Sequence, residues 1–169
     1  MRLRKLEPHE SSLLRELRLN ALRNAPGSFR DTYADIAARP SSYWEELTRS
    51  VTQPGRNVLL LACEGDQAAG SAFGLVDQSQ ERTGRVGGMW VDPAWRRQGV
   101  GQALLQGVID WARERGFECL KLWCVADDLA SGSLYRKAGF KETGSQQQLS
   151  EGSAIRVVEM KLASLERLG

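Results

Sequence analysis

The residues best suited to chemistry lie where Met89-Trp90-Val91-Asp92-Pro93-Ala94-Trp95-Arg96-Arg97-Gln98-Gly99-Val100-Gly101 runs through a basic, glycine-bearing turn into an amphipathic stretch. Backbone N–H groups at the start of a helix point outward with partial positive charge, which suits them to hold phosphate. Gly99 and Gly101 leave the backbone open to a pyrophosphate, and Arg96 and Arg97 bring mobile positive charge to the same anion. Two other phosphate motifs fail here. No GK[ST] follows, so a Walker-type loop is excluded. Leu104 stands where a dinucleotide fingerprint requires its third glycine.

Covalent and metal chemistry find less support. Cys63, Cys119 and Cys124 lie in apolar stretches without CxxC spacing, and His9 is the one histidine. That pattern argues against a disulfide framework and a zinc site and suits a reducing compartment; no metal is expected. Cys124 has no evident basic partner to lower its pKa and reads as a small buried residue.

The elements that position the turn follow from periodicity. Residues 1–6 alternate apolar and basic as a short strand does, and Leu13, Leu14, Leu17, Leu19 and Leu22 have helical spacing. A second helical region breaks at Pro40, where Ser41-Ser42 offers a cap. Strands are predicted over 58–63, 68–76 and 85–91, with a polar hairpin loop over 78–82. A helix over 99–115 carries the stripe Val100, Leu104, Val108, Trp111 and Ala112 and ends at Gly116. A strand over 119–125, a helix over 129–137 closed by Gly139-Phe140, and a strand over 155–162 complete the order. This is a mixed α/β layer, mainly antiparallel, with one parallel contact where the long helix crosses between two strands.

The turn Arg96-x-x-Gly99-x-Gly101 after Val91-Asp92-Pro93 resembles the acetyl-coenzyme A signature of the GNAT superfamily of N-acetyltransferases. The segment Ser133-Leu134-Tyr135-Arg136-Lys137-Ala138-Gly139-Phe140 is similar to that family's second hallmark, at the proper separation. The resemblance covers roughly residues 1–162, and its specific part is 86–144. It implies one domain over 1–169, an α/β (α+β) fold with a central sheet of about seven strands and about four helices, and a cleft where strands four and five splay. It further implies that acetyl-coenzyme A is the co-substrate. Its pyrophosphate would lie on Arg97, Gln98, Gly99, Val100, Gly101 and Gln102, with Arg96 beside them. Its pantetheine arm would pair with the main chain of Met89, Trp90 and Val91, as an added strand would.

Roles for single residues follow from the same resemblance. Tyr135 is the expected general acid, a phenol near pKa ~10 that protonates the departing thiolate, against the plainer alternative of a core aromatic. Asp128 stands where the family often has an asparagine touching the coenzyme, and fits equally a helix cap. Neither Val86-Gly87-Gly88-Met89-Trp90 nor Leu120-Lys121-Leu122-Trp123-Cys124 contains a carboxylate, so no general base is evident; Asp127 and Glu151 are distant candidates. An amine with a pKa near ~10.4 is neutral in about one part in 2,500 at pH 7, whereas an α-amine near ~8 is about a tenth neutral. Trp90 and Trp123 occupy the splayed strands and fit either a cleft wall or plain core packing. Acceptor choice is assigned to Phe29, Tyr33, Tyr43 and Trp44, to the loop 146–153, and to a rim at Gly27-Ser28-Phe29-Arg30-Asp31.

Composition narrows the partners. A net charge of +2 over 169 residues gives no global nucleic-acid signature. No apolar run approaches the ~18 residues of a membrane span, and the first ten residues lack an apolar leader core. The expectation is a cytoplasmic transferase acting on a small-molecule, peptide or protein amine, with no nucleic acid and no membrane. The competing readings are a non-catalytic acyl-coenzyme A binding or sensing module and an acyltransferase for longer chains. The apolar strand with Ile155, Val157, Val158, Met160 and Leu162 fits a homodimer edge and an interior strand equally.

Overall fold

The computed structural model describes residues 1–165; of the domain expected over 1–169, residues 166–169 lie outside the described part. Seven strands form one sheet in the order β1-β2-β3-β4-β5-β7-β6. They are β1 (Arg2–Lys5), β2 (Val58–Glu64), β3 (Gln67–Val76), β4 (Thr83–Val91), β5 (Cys119–Val125), β6 (Lys141–Gln148) and β7 (Arg156–Ala163). Among the described residues five α-helices accompany them: α1 (Ser11–Asn24), α2 (Tyr33–Ala37), α3 (Ser41–Thr52), α4 (Val100–Glu114) and α5 (Leu129–Lys137). All strand pairs are antiparallel except β4 with β5, which α4 connects.

Burial on both faces explains the sequence of β2. Val58, Leu60 and Ala62 enter the core beneath α4, while Leu59, Leu61 and Cys63 enter the core beneath α1 and α3. A strand covered on both sides needs an unbroken apolar run, and Val58 to Cys63 supplies one. The α4 stripe is buried as its spacing predicts, with Leu105 and Ile109 widening it.

Three readings of the sequence are corrected. Pro40, not Ser41 or Ser42, caps α3, and no side-chain cap bond forms there. The stretch 146–153 is not all loop, because β6 runs to Gln148. The apolar C-terminal strand is interior, paired with β5 on one side and β6 on the other, which removes the homodimer reading of that strand.

The cleft originates in β4. Ser71 pairs with Trp90 and Phe73 with Gly87, so Ala72 alone faces both Gly88 and Met89. That is a β-bulge, and one extra residue exchanges the faces of everything beyond it. Val86 therefore packs toward α4, and after the bulge Met89 and Val91 do so while Trp90 turns into the opposite core. Gly88 takes φ +51°, and a Cβ there would stand 2.8 Å from the Phe73 ring. Glycine is required on both counts.

Parallel pairing of β4 with β5 extends only over Thr83–Cys119, Gly84–Leu120 and Arg85–Lys121. Beyond that point β4 holds to β3 and β5 holds to β7, and the two strands part. A clasp of charges closes the apex. Arg85 donates from Nε to Asp77 at 2.9 Å and from Nη2 to Glu159 at 3.2 Å, tying the end of β3 to β7 across the split. Glu159 also accepts from the Thr143 hydroxyl at 3.1 Å. Burial alone would raise the Asp77 carboxyl. Hydrogen bonds from the Ser79 hydroxyl and amide, with Arg85, outweigh it and hold the pKa at about 2.

Arg85→Met leaves two buried carboxylates unpaired and is expected to cost about 3 kcal/mol in urea unfolding. Because the folded Asp77 pKa lies below its ordinary 3.8, its stabilisation is present above that pH and lost as pH falls toward 2. An acid titration of stability in the wild-type protein should show that loss, and the Asp77→Asn variant should lack this part of it.

Candidate functional site

The splay opens a cleft of about 1280 Å³ that passes between β4 and β5 through the sheet. One wall is the β4 stretch beyond the apex, whose backbone edge toward β5 has no strand partner. Backbone N–H and C=O groups are obligatory hydrogen-bonding groups, so this edge can accept an extended ligand as a further strand. Met89, Trp90 and Val91 all line it.

The β4 wall leads into the basic turn. After Val91, Asp92 accepts from the Ala94 amide at 2.8 Å and starts a short 3-10 turn, Pro93–Trp95. Arg97 (φ +60°) and Gly99 (φ +79°) then both adopt the left-handed region before α4 begins. The first intrahelical bond is Ala103 N–H to the Gly99 carbonyl, and Gly99 offers no side-chain cap. The N–H groups of Val100, Gly101 and Gln102 are therefore left without helical acceptors. With the helix dipole behind them they are suited to hold an anion on the cleft wall.

The arginines divide their duties. Arg96 donates from Nε to the Val91 carbonyl at 3.1 Å, fastening the turn to the end of β4. Arg96 and Arg97 both line the cleft beside the N–H cluster, Arg97 without a side-chain bond of its own to the turn among the described residues. Gln98 does not line it; its amide bends back to the Ala94 carbonyl at 3.2 Å. Of the residues expected at the phosphate site, Gln98 is thus the one that the structure does not bring to the cleft lining.

Tyr135 enters from α5, 8% exposed, its ring edge-on to Phe140 with centroids 6.1 Å apart. It lines the cleft on the α4 side, with no hydrogen bond to its hydroxyl among the described residues. Burial, with smaller contributions from Cys124 and Asp128, pushes the phenol pKa well above its ordinary value. Asp128 accepts from the Ser131 amide at 3.1 Å and its hydroxyl at 2.7 Å, so it caps the helix that carries Tyr135. Burial likewise raises the Cys124 thiol, which stands on the same wall.

The face toward α1 is lined by Arg18, Ser28, Phe29, Arg30, Trp123, Gln147 and Leu149, among others. Phe29, Trp90 and Trp123 all line the cleft. Trp90 is only 4% exposed and its indole N–H has no partner among the described residues. Tyr33 does not reach the cleft: Arg23 stacks on its ring and donates to its hydroxyl at 2.8 Å. Trp44 is buried in the core under α3 with Tyr43 edge-on to it, so neither lines the cleft. Asp127 and Glu151 are also absent from the lining. Arg18 and Arg85 carried no sequence signal; only their placement on separate elements around the cleft reveals them. Among the described residues no group of three or more His, Cys, Asp or Glu could hold a metal ion, and no helix is long and apolar enough to cross a membrane.

Comparison with known proteins agrees with this geometry. Residues 19–140 match the family described as Acetyltransferase (GNAT) family. The chain is 30% identical over 109 residues to aminoglycoside N(6')-acetyltransferase type 1 of Stenotrophomonas maltophilia, covering 59% of this chain and 69% of that protein. It spans less than half the length of further curated relatives that it matches. The fold is shared with the GNAT-family acetyltransferase of Streptococcus pneumoniae, with a TM-score of 0.78 and 24% identity over 96% of this chain and 98% of that one. It is shared also with the Salmonella typhimurium protein yncA, solved with its cofactor acetyl-CoA, with a TM-score of 0.74 and 21% identity over 100% and 96%.

Proposed function

The chain belongs to the acetyltransferase (GNAT) family, and on that premise we propose that it transfers an acetyl group from acetyl-coenzyme A to a primary amine, by direct attack within a ternary complex. The observation that carries this reading is the continuity of one wall: an unpaired β4 edge leads directly into the free N–H groups of α4. A strand-like arm ending in a pyrophosphate matches both parts at once, so the residues present fit the coenzyme.

When bound, acetyl-coenzyme A supplies the acyl group as an activated thioester. Val100, Gly101 and Gln102 hold the pyrophosphate through main-chain N–H groups, with Arg97 adding charge. Met89, Trp90 and Val91 pair the pantetheine arm and orient its reactive end toward the splay. Main-chain N–H groups near Val91 polarise the carbonyl under attack. Tyr135 holds the proton for the departing sulfur at its hydroxyl, and Asp128 serves it by fixing the start of α5. The raised phenol pKa suits this role, since the group stays protonated at any working pH.

A second reading, a non-catalytic acyl-coenzyme A binding module, draws on one specific observation. The one carboxylate among the lining residues is Asp128, which is engaged by Ser131, so no evident general base faces the acceptor. Coenzyme binding without transfer to any amine would favour that reading.

Titration calorimetry with acetyl-coenzyme A tests the site itself. A Cβ at Gly101 would meet Leu134 at 3.4 Å and Val91 at 3.8 Å, ordinary contacts, so Gly101→Asp is expected to fold normally. An acidic residue in a first helical turn leaves stability unchanged or slightly raised, yet here it is expected to abolish micromolar binding by repelling the pyrophosphate. Tight binding by that variant would refute the assigned phosphate site.

Tyr135→Phe is expected to lower turnover at least roughly tenfold while leaving coenzyme affinity nearly unchanged. In the wild-type protein kcat/KM should rise with deprotonation of the acceptor. With the phenol pKa raised above 10.0, no alkaline fall from Tyr135 should appear below that pH. Equal turnover in Tyr135→Phe removes the residue from the mechanism.

A further inference from the structure

Across the cleft from α4 and α5, the charged groups on the wall are Arg18, Arg30 and Arg85, and no carboxylate joins them there. The acidic groups nearby are each turned onto one of these arginines. Asp31 pairs with Arg18 at 3.2 Å, and Asp77 and Glu159 grip Arg85 at the apex. We propose that the acceptor is a small amine bearing a carboxylate, as an amino acid does, and that Arg18 with Arg30 binds that carboxylate on the α1 side of the cleft. The proposal rests on the acetyl-transfer reading above and names its substrate class.

Arg18 is built for this task. Its guanidinium lies 4.9 Å from the Phe29 ring centroid, its Nη2 is held by Asp31, and its side chain is 17% exposed. Stacking and pairing fix the fork in one orientation, which lowers the ordering cost of capturing a carboxylate. Its Nη1 comes within 3.5 Å of where a Cβ on Gly88 would stand, so the charge sits at the bulge from which the open β4 edge begins. Arg30 is exposed on the rim of the same wall and extends the positive surface outward.

The chemistry of the acceptor follows from what such a wall can satisfy. A polycation would meet guanidinium groups with no carboxylate available on the wall, and its ammonium groups would be desolvated unpaired. The likeness to an aminoglycoside acetyltransferase therefore does not extend to a polycationic acceptor here. A carboxylate on the acceptor reverses the balance, because it forms charge-assisted bonds with the fork. Pairing also cancels the carboxylate's own field, which otherwise favours the protonated ammonium that cannot attack. In a cleft whose walls supply no evident base, that shift toward the neutral amine aids the reaction as well as binding.

The test is a thiol-release assay with acetyl-coenzyme A on the common L-amino acids, their carboxamides, short neutral peptides, spermidine and an aminoglycoside. At least one amino acid is expected to exceed its own carboxamide in kcat/KM by about tenfold or more. Arg18→Met should raise KM for that amino acid by about tenfold with the KM for acetyl-coenzyme A nearly unchanged, and Arg18→Lys should recover part of the loss. Asp31→Asn keeps a side-chain oxygen that can accept from Arg18 and hold the fork, yet removes the negative charge that competes with the substrate carboxylate, so it should lower the same KM, a direction that damage to the fold does not produce; Arg30→Gln, at an exposed position, should raise it. Equal rates for acid and carboxamide, or turnover of peptides or polycations alone, overturns the proposal while acetyl transfer stands. Absence of turnover on every amine also overturns it, and the coenzyme titration then shows separately whether the acetyltransferase reading has failed too.

Discussion

Everything that distinguishes this molecule from an ordinary covered sheet depends on where β4 stops pairing with β5. Three residue pairs hold the strands together, and past Arg85 and Lys121 each strand keeps only its other neighbour. An unpaired backbone edge in the middle of a sheet is normally avoided, since its N–H and C=O groups lose partners they would have in a closed ladder. The bulge at Gly88 and Met89 commits the chain to this geometry by bending β4 and exchanging its faces. Met89 and Val91 then pack toward α4, and the open edge is directed along the path that ends at the α4 N-terminus.

The gap persists because its apex is pinned. Arg85 carries one charge across the split to two buried carboxylates, one at the end of β3 and one on β7. Such a clasp is a poor source of net stability compared with apolar packing, but it is strongly intolerant of losing one member. It sets where the opening begins without filling the space beyond. The two large cores on either side of the sheet supply the bulk of the burial, and the cleft crosses between them.

Charge is sorted across that cleft. On the α4 side, Arg97 and the residues of the first α4 turn line the cleft together, with Tyr135 held neutral by burial nearby. On the α1 side Arg18 and Arg85 carry their own acidic partners, so their positive character is local and directional rather than a broad field. Neither arrangement appears in the net charge of +2. Local pairing, not total charge, decides what each wall can bind.

Residues close in sequence were legible from sequence. The α4 stripe, the apolar run of β2, the turn from Val91 to Gly101 and the Tyr135 helix all follow from periodicity, glycine placement and linked motifs, because each is a local pattern. Strand β6 was not, since Lys141–Gln148 is exposed along its whole length and lacks apolar alternation; pairing with β7 alone defines it. Tyr33 and Gln98 were assigned to the site from the family resemblance, and their side chains turn to Arg23 and to the Ala94 carbonyl. Arg18, Arg85 and Glu159 come from three distant elements and share no motif, so only the folded sheet brings them to the cleft or its apex. The sequence by itself thus determined most of the elements and the basic, glycine-bearing turn that opens α4, whose physics is contained within a few residues. The tertiary structure alone decided which charges line the α1 side of the cleft, because charges brought together by sheet order leave no trace in local spacing.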